Sequence, residues 1–337
     1  MIAVSGATGF LGAHLVCRLL KKGLQVRALK RSDSNMAEFE YIYSLLFVNN
    51  EAKKNLTWVE ADVLDTPALD MALQGVNELY HCAAMVSFSQ KDKEKMMQVN
   101  VQGTANILNL SLIHGVKKFA HISSIAALGR EKSGVHVTEK SKWVESKLNS
   151  NYAISKYKAE MEVWRASVEG LNVVIVNPGV ILGSGDWHKG SCALFNMAYN
   201  GMPFYTHGVN GYVDVLDVAD ATIQLMDNNI FAERFILVSE NTNMKYFLDE
   251  TSTQLNKKKP SIEVNKILAE LAWMGASLAA LFNGKKASLT KETSRASLNK
   301  YYYSNQKIKD KIGFEFIPIK QTIAQTCNHL LQQKQTS

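Results

Sequence analysis

Through residue 240, short apolar runs alternate with stretches of helical periodicity. Ile2 to Val4, Gln25 to Leu29, Leu56 to Val59, Glu78 to Cys82, Lys118 to Ser123 and Val173 to Asn177 predict buried strands, and Arg234 to Ser239 predicts a last one. Between the first two runs, Leu11, Leu15, Leu19 and Leu20 share one helical face that stops at Gly23. Repeated strand–helix–strand units imply a parallel sheet. Each right-handed crossover lays a helix over one face, so the expected fold class is α/β and doubly wound.

The rhythm loosens after Pro178 into a Gly-rich stretch from Gly179 to Gly211, and breaks again after Ser239. These two segments are expected to form a second, smaller and mostly helical domain at the carboxyl ends of the strands. The expected division is 1–178 plus 212–240 for the sheet domain, against 179–211 plus 241–337 for the substrate domain. The chain shows no internal repeat and no Pro-, Gly- or Ser-rich linker.

Gly6, Gly9 and Gly12 follow the first strand directly and open the first helix. A tight turn, close backbone approach to a pyrophosphate and close helix–strand packing each call for a residue without a side chain there. The helix N-terminus then offers free N–H groups to an anion. The reading is a dinucleotide site. At the end of the second strand, where an NAD site places an acid for the ribose 2′-hydroxyl, stand Lys30 and Arg31. They suit a 2′-phosphate, so NADP(H) is favoured over NAD(H); the plainer alternative is two exposed residues at a strand end.

Tyr152 and Lys156 are four residues apart, on one face of a predicted helix. With 12 tyrosines and 38 basic residues, about one such pair arises by chance, and Tyr303 with Lys307 is a second. Ser123-Ser124, at the end of the fifth strand and 28 residues before Tyr152, decides between them, because strand ends converge on the crevice of a doubly wound sheet. Strand alternation turns only one of the two serines into that crevice.

Taken together these motifs resemble the extended short-chain dehydrogenase/reductase family, also described as NAD-dependent epimerases and dehydratases. The residues that carry the likeness span most of the chain: the Gly-x-x-Gly-x-x-Gly spacing at Gly6, His81-Cys82-Ala83-Ala84, Asn100-Val101-Gln102-Gly103-Thr104, Asn177-Pro178-Gly179, and Val213-Asp214-Val215-Leu216-Asp217-Val218-Ala219. The resemblance implies a Rossmann sheet and a hydride transfer. It makes Tyr152 the general acid/base and Lys156 the ribose ligand that lowers the tyrosine pKa. Ser124, favoured by the following Ala127-Leu128-Gly129, would hydrogen-bond the substrate oxygen, and Asn100 would support Lys156 through a water. The physics is sound, since a free tyrosine titrates near 10 and a neighbouring ammonium favours its anion. The same likeness assigns Thr8, Phe10, Leu11, Asp62, Val63, Ala83, Ala84, Pro178, Gly179 and Val180 to the cofactor, Asp62 facing the adenine.

Within that family the chain is most similar to the dihydroflavonol reductase and 3β-hydroxysteroid dehydrogenase branch. Val26-Arg27-Ala28-Leu29-Lys30-Arg31, Met85-Val86-Ser87-Phe88 and the tail from Leu289 through Tyr303-Ser304 carry that likeness. Met85, Ser87, Phe88, Ser124 and Trp187 are candidate substrate contacts, and the apolar loop implies a largely apolar carbonyl or alcohol. Sugar-nucleotide epimerases usually carry Arg where Asn177 stands, which places that activity second. A non-catalytic NADP(H)-sensing protein is the third reading, disfavoured because Tyr152 and Lys156 are both retained.

The remaining numbers narrow the partners. A net charge of +7 is spread over separate doublets and the triplet Lys257–Lys259 without interleaved aromatics, so nucleic acid is not expected. Cys17, Cys82, Cys192 and Cys327 are scattered and suggest neither a disulfide framework nor a metal site. The apolar stretch 267–282 contains Glu270 and falls short of the ~20 residues that span a bilayer, leaving a pocket lid, a buried helix or an interfacial segment. The first strand begins at Met1, so a cytoplasmic location is expected. A homodimer stays open.

Overall fold

The computed structural model describes residues 1–131, 134–146, 149–265, 267, 268, 270 and 297–336. Most of the apolar stretch 267–282, and Leu289 to Glu292, lie outside them. In chain order the elements are β1 (Ile2–Ser5), α1 (Phe10–Lys21), β2 (Val26–Lys30), α2 (Ala37–Leu46), β3 (Leu56–Glu60), α3 (Thr66–Leu73), β4 (Glu78–His81), α4 (Lys93–Met97), α5 (Gly103–Ile113), β5 (Lys118–Ile122), α6 (Asn151–Val168) and β6 (Val173–Pro178). There follow β7 (Val180–Leu182), α7 (Cys192–Tyr199), β8 (Phe204–Tyr205), β9 (Val209–Asp214), α8 (Val215–Asp227), β10 (Glu233–Leu237), β11 (Glu240–Asn243), α9 (Met244–Gln254), β12 (Ile262–Glu263), α10 (Gln306–Ile312) and α11 (Ile319–Thr336).

Seven strands form one sheet in the order β10-β6-β5-β4-β1-β2-β3, and every pairing is parallel. The order reverses between β1 and β4, which opens the crevice there. All seven strands predicted from the apolar runs are present within one or two residues of their expected ends. Strand alternation divides the core. Val4, Ala28, Tyr80, Ala120 and Val174 pack on one side with α1, α2 and α8, while Ala3, Leu29, Leu79, Phe119 and Val173 pack on the other with α3, α5 and α6.

A third cluster, built on Leu182, Phe195, Tyr212, Phe247, Ile323 and Leu330, joins α7, α9 and α11 to the three-stranded sheet β11-β9-β7. Residue 212, where the expected division of the chain falls, lies inside β9. A two-stranded sheet, β12-β8, completes this part, so it carries more strand than a mostly helical segment was expected to.

Candidate active site

The first turn is built by close backbone contact. Gly6 has φ +66°, and a Cβ on it would sit 2.6 Å from the Ala83 nitrogen; one on Gly12 would sit 2.1 Å from the Gly6 carbonyl oxygen. Only glycine lets β1, α1 and the segment after β4 meet at this distance. The N-cap of α1 is Gly9, with no capping side chain, so the helix end is left to an anion. The donor set and the cradle both fit a dinucleotide pyrophosphate.

A cavity of about 260 Å³ beside this turn brings together Gly6, Thr8, Gly9, Lys30, Arg31, Asp62, Val63, Ala83 and Ala84. Leu11 and Gly12 lie buried beneath it in α1. Pro178, Gly179 and Val180 stand apart from it, at the β6–β7 junction, where a Cβ on Gly179 would meet the Gly211 carbonyl oxygen at 2.4 Å. Arg31 is not unengaged: its Nε lies 3.1 Å from Asp33 Oδ1.

Tyr152 and Lys156 sit in the first turns of α6, whose N-cap Ser150 accepts the Ala153 N–H at 3.0 Å. The Tyr152 phenol is desolvated, which pushes its pKa above the ordinary 10, and a side-chain hydrogen bond with Ser124 pulls it partway back. Lys156 is buried and donates to the Ile122 carbonyl at 2.7 Å. Burial lowers its pKa to about 8, against the opposing pull of Glu160 and Cys82. The expected lowering of the tyrosine by Lys156 is therefore not what governs this geometry. Desolvation dominates, opposed only by the hydrogen bond with Ser124; the Lys156 ammonium gives one of its three N–H groups to the strand-end carbonyl.

The serine pair divides as strand alternation requires. Ser124 turns to Tyr152, whereas Ser123 donates to Glu160 Oε2 at 2.8 Å. Glu160 is fully buried, and its carboxylate also accepts from Asn177 Nδ2 at 3.0 Å and from Arg234 Nη1 at 2.8 Å. Asn177 Nδ2 reaches the Ser124 carbonyl oxygen as well, at 3.0 Å. This network was not expected, although the spacing of Glu160, four residues beyond Lys156, puts it on the same helical face.

Asn100 lies in the π-helical turn Gln98–Gln102. Its Oδ1 accepts the Met85 N–H at 2.7 Å, and its Nδ2 donates to the Met85 carbonyl and to Ser155 Oγ, both at 2.9 Å. Its amide is engaged by the Met85 loop and by α6, and no direct bond to Lys156 is among its contacts; support through a water remains a proposal.

Met85, Ser87 and Phe88 form that loop, and the Phe88 ring meets Tyr152 edge-on at 5.9 Å. Ser87 is turned to Asp92 Oδ2 at 2.7 Å. Trp187 stands elsewhere: it lines a cavity of about 590 Å³ with Thr8, Arg31, Glu38 and Tyr41, a cavity whose described walls include neither Ser124 nor the Met85 loop. Its indole packs on Phe195 and donates to Gln333, so it serves the third core cluster. Tyr303, the chance rival of Tyr152, is held through its backbone by Asn241, and Lys307 donates to the Arg234 carbonyl. Among the described residues no cluster of His, Cys, Asp and Glu could hold a metal ion, and no helix is long and apolar enough to cross a membrane.

Comparison with known proteins agrees with this geometry. Residues 2–236 match the model of the NAD dependent epimerase/dehydratase family. A Synechocystis protein provisionally named a dihydroflavonol 4-reductase is 31% identical over 95% of this chain and 92% of its own length. Cinnamoyl-CoA reductase 1 of Petunia hybrida is 26% identical over 98% of this chain and 92% of its own. The crystal structure of gox2253 superposes with a TM-score of 0.82 at 28% identity, covering 99% of this chain and 98% of that one. The chain belongs to the NAD-dependent epimerase/dehydratase family, the extended short-chain dehydrogenases/reductases, and is an NAD(P)-dependent oxidoreductase.

Proposed function

We propose that this chain reduces the carbonyl of a largely apolar small molecule, or oxidises the matching alcohol, with NADP(H). The observation that carries the reading is the meeting of Ser124, Tyr152 and the Phe88 ring at the carboxyl end of the sheet, one helical turn from Lys156. The bound dinucleotide supplies the hydride acceptor or donor. Tyr152 gives its phenolic proton to the carbonyl oxygen in reduction and takes it from the hydroxyl in oxidation. Ser124 donates a hydrogen bond to that same oxygen, and the Lys156 ammonium holds the nicotinamide ribose. Lys30 and Arg31 receive the 2′-phosphate.

The half-exposed Val86 and Phe88 give the substrate an apolar wall beside the phenol. Relatives named for a dihydroflavonol and a cinnamoyl thioester fit a carbonyl carried on an aromatic body. Asn177, where epimerases carry Arg, is buried in the Glu160 network, which speaks against a sugar-nucleotide substrate.

The test is loss of nicotinamide absorbance from NADPH against a panel of dihydroflavonols, steroid ketones and aromatic aldehydes, with UDP-glucose incubated in parallel with the dinucleotide and its products separated, because epimerisation returns the cofactor unchanged. Turnover of at least one apolar carbonyl and none of UDP-glucose is expected. Interconversion of the sugar nucleotide with no response to the apolar carbonyls would overturn the reading.

A further inference from the structure

Glu160 is the most deeply buried carboxylate near the site, yet it touches neither the groove nor the phenol. Its two oxygens are divided. Oε1 takes Arg234, which also donates to the Glu139 carbonyl from Nε at 2.9 Å, and Oε2 takes both Ser123 Oγ and Asn177 Nδ2. Asn177 Nδ2 is shared between that carboxylate and the Ser124 carbonyl, each at 3.0 Å. Besides the strand bond from the Ser123 N–H to the Val176 carbonyl at 2.8 Å, the two side chains that hold the back of the Ser123-Ser124 strand end, Ser123 and Asn177, both lead to Glu160. A strand end held from behind can present only one side chain forward, and that one is Ser124, whose Oγ also accepts the Ala126 N–H at 3.1 Å.

We propose that Glu160 is a positioning residue: through Ser123 and Asn177 it fixes the strand end so that the Ser124 hydroxyl is aimed at the Tyr152 phenol. The inference rests on the reading of Ser124 and Tyr152 as reacting partners, and it goes beyond that reading in assigning what aligns them. Arg234 anchors the buried carboxylate through an ion pair at 2.8 Å, and removing either partner alone strands the other in the core. A displacement of about an ångström at a reacting group is enough to cost on the order of a hundredfold in rate.

The experiment reads the hydroxyl contact itself, with no ligand added. Tyrosine is labelled with ¹³C at Cζ, the Tyr152 resonance is assigned from Tyr152→Phe, and its position is compared at neutral pH across variants. Ser124→Ala defines a phenol without its serine. Glu160→Gln alone leaves Arg234 unpaired, so the informative variant is Glu160→Gln with Arg234→Gln, in which both charges are removed and the second amide still reaches the Glu139 carbonyl. Its resonance should move most of the way to the Ser124→Ala position while the thermal midpoint stays within a few degrees of wild type. Asn177→Ala, which leaves the ion pair whole, should give the same displacement and keeps the test decisive if the double variant does not fold. A Tyr152 resonance unmoved in either variant would refute the positioning role. Because no substrate enters, that failure is separate from failure of the acid/base assignment, which turnover of Tyr152→Phe decides.

Discussion

The hydroxyl of Ser124 meets the phenol of Tyr152 although the two residues come from different elements, one just past the end of β5 and the other in the first turn of α6. Tyr152→Phe keeps the ring against Phe88 and removes only the transferable proton. Turnover should fall by roughly 10² to 10⁴-fold with NADPH affinity nearly unchanged. Steady-state kinetics on a carbonyl found in the panel, with cofactor affinity by isothermal titration, measures both. Retention of more than about a tenth of wild-type kcat would remove Tyr152 from the acid/base role.

Lys156 carries a cost in stability that its proposed role would explain. Its folded pKa is about 8, below its ordinary 10.5, because burial disfavours the ammonium. The unfolded chain therefore binds more protons between about pH 8 and 10.5, and stability rises with pH across that window. Below pH 8 the cost is present in full, up to about 3 kcal/mol at ~1.4 kcal/mol per pH unit. Lys156→Met, similar in length and uncharged, should raise the thermal midpoint at pH 7 by a few degrees while turnover and dinucleotide affinity both drop. A lowered midpoint, or normal NADPH affinity, would contradict this account.

How much of this was legible in the sequence follows from range. The strands and the Gly6 turn were readable because they depend on local periodicity and on backbone contacts that only glycine permits. Tyr152 could be told from Tyr303 because Ser123-Ser124 marks a strand end, and parallel strand ends converge. The roles of Asn100 and Glu160 were not readable in the same way. Asn100 meets the Met85 loop, and Glu160 on α6 meets Asn177 on β6 and Arg234 on β10, and no spacing along the chain encodes a contact between elements so far apart in sequence. Trp187, a candidate substrate contact in the sequence, packs its indole on Phe195 in the third core cluster, a partner that no local spacing reveals. Asp33, which pairs with Arg31, sits two residues beyond the strand end where an acid was sought.

Three buried histidines predict sensitivity to acid. Burial lowers His14 to about 4 and His81 to about 3, and holds His121 well below the ordinary 6.5. His81 is bound by Ser5 and Thr104 and stacks on His121, whose ring nitrogens have no partner among the described residues. In each case the folded pKa is below the unfolded one, so the unfolded chain binds more protons between about pH 6.5 and 4 and stability is lost as pH falls through that window. Urea midpoints at successive pH values should drop steeply below pH 6.5. His14→Gln, whose amide can still donate to the Ser184 carbonyl, should flatten part of the slope. A midpoint constant from pH 7 to 4.5 would rule out this origin.

On the proposed reading, cofactor choice turns on Lys30 and Arg31 at the mouth of the groove. A 2′-phosphate brings close to two negative charges, and a guanidinium can meet it with paired, charge-assisted hydrogen bonds. Against that, Arg31 is more than half exposed and already lies 3.1 Å from Asp33, so binding must draw it away from one carboxylate and is screened by salt. The net gain should be on the order of 1 to 3 kcal/mol. Replacing Lys30 and Arg31 together with Ala should weaken NADPH binding roughly 10 to 100-fold, at ~1.4 kcal/mol per decade, and leave NADH little changed. Asp33→Asn tests the same balance from the other side: freeing Arg31 should strengthen NADPH binding several-fold, most visibly at low salt, without affecting NADH. Ser34 is the competing donor, because its Oγ already accepts the Arg31 N–H at 3.0 Å and its hydroxyl proton is available to a phosphate. If isothermal titration gave equal affinities for the two dinucleotides in the unmutated protein, Lys30 and Arg31 would be a solvated strand end and the discrimination would have to be sought at Ser34 or not at all.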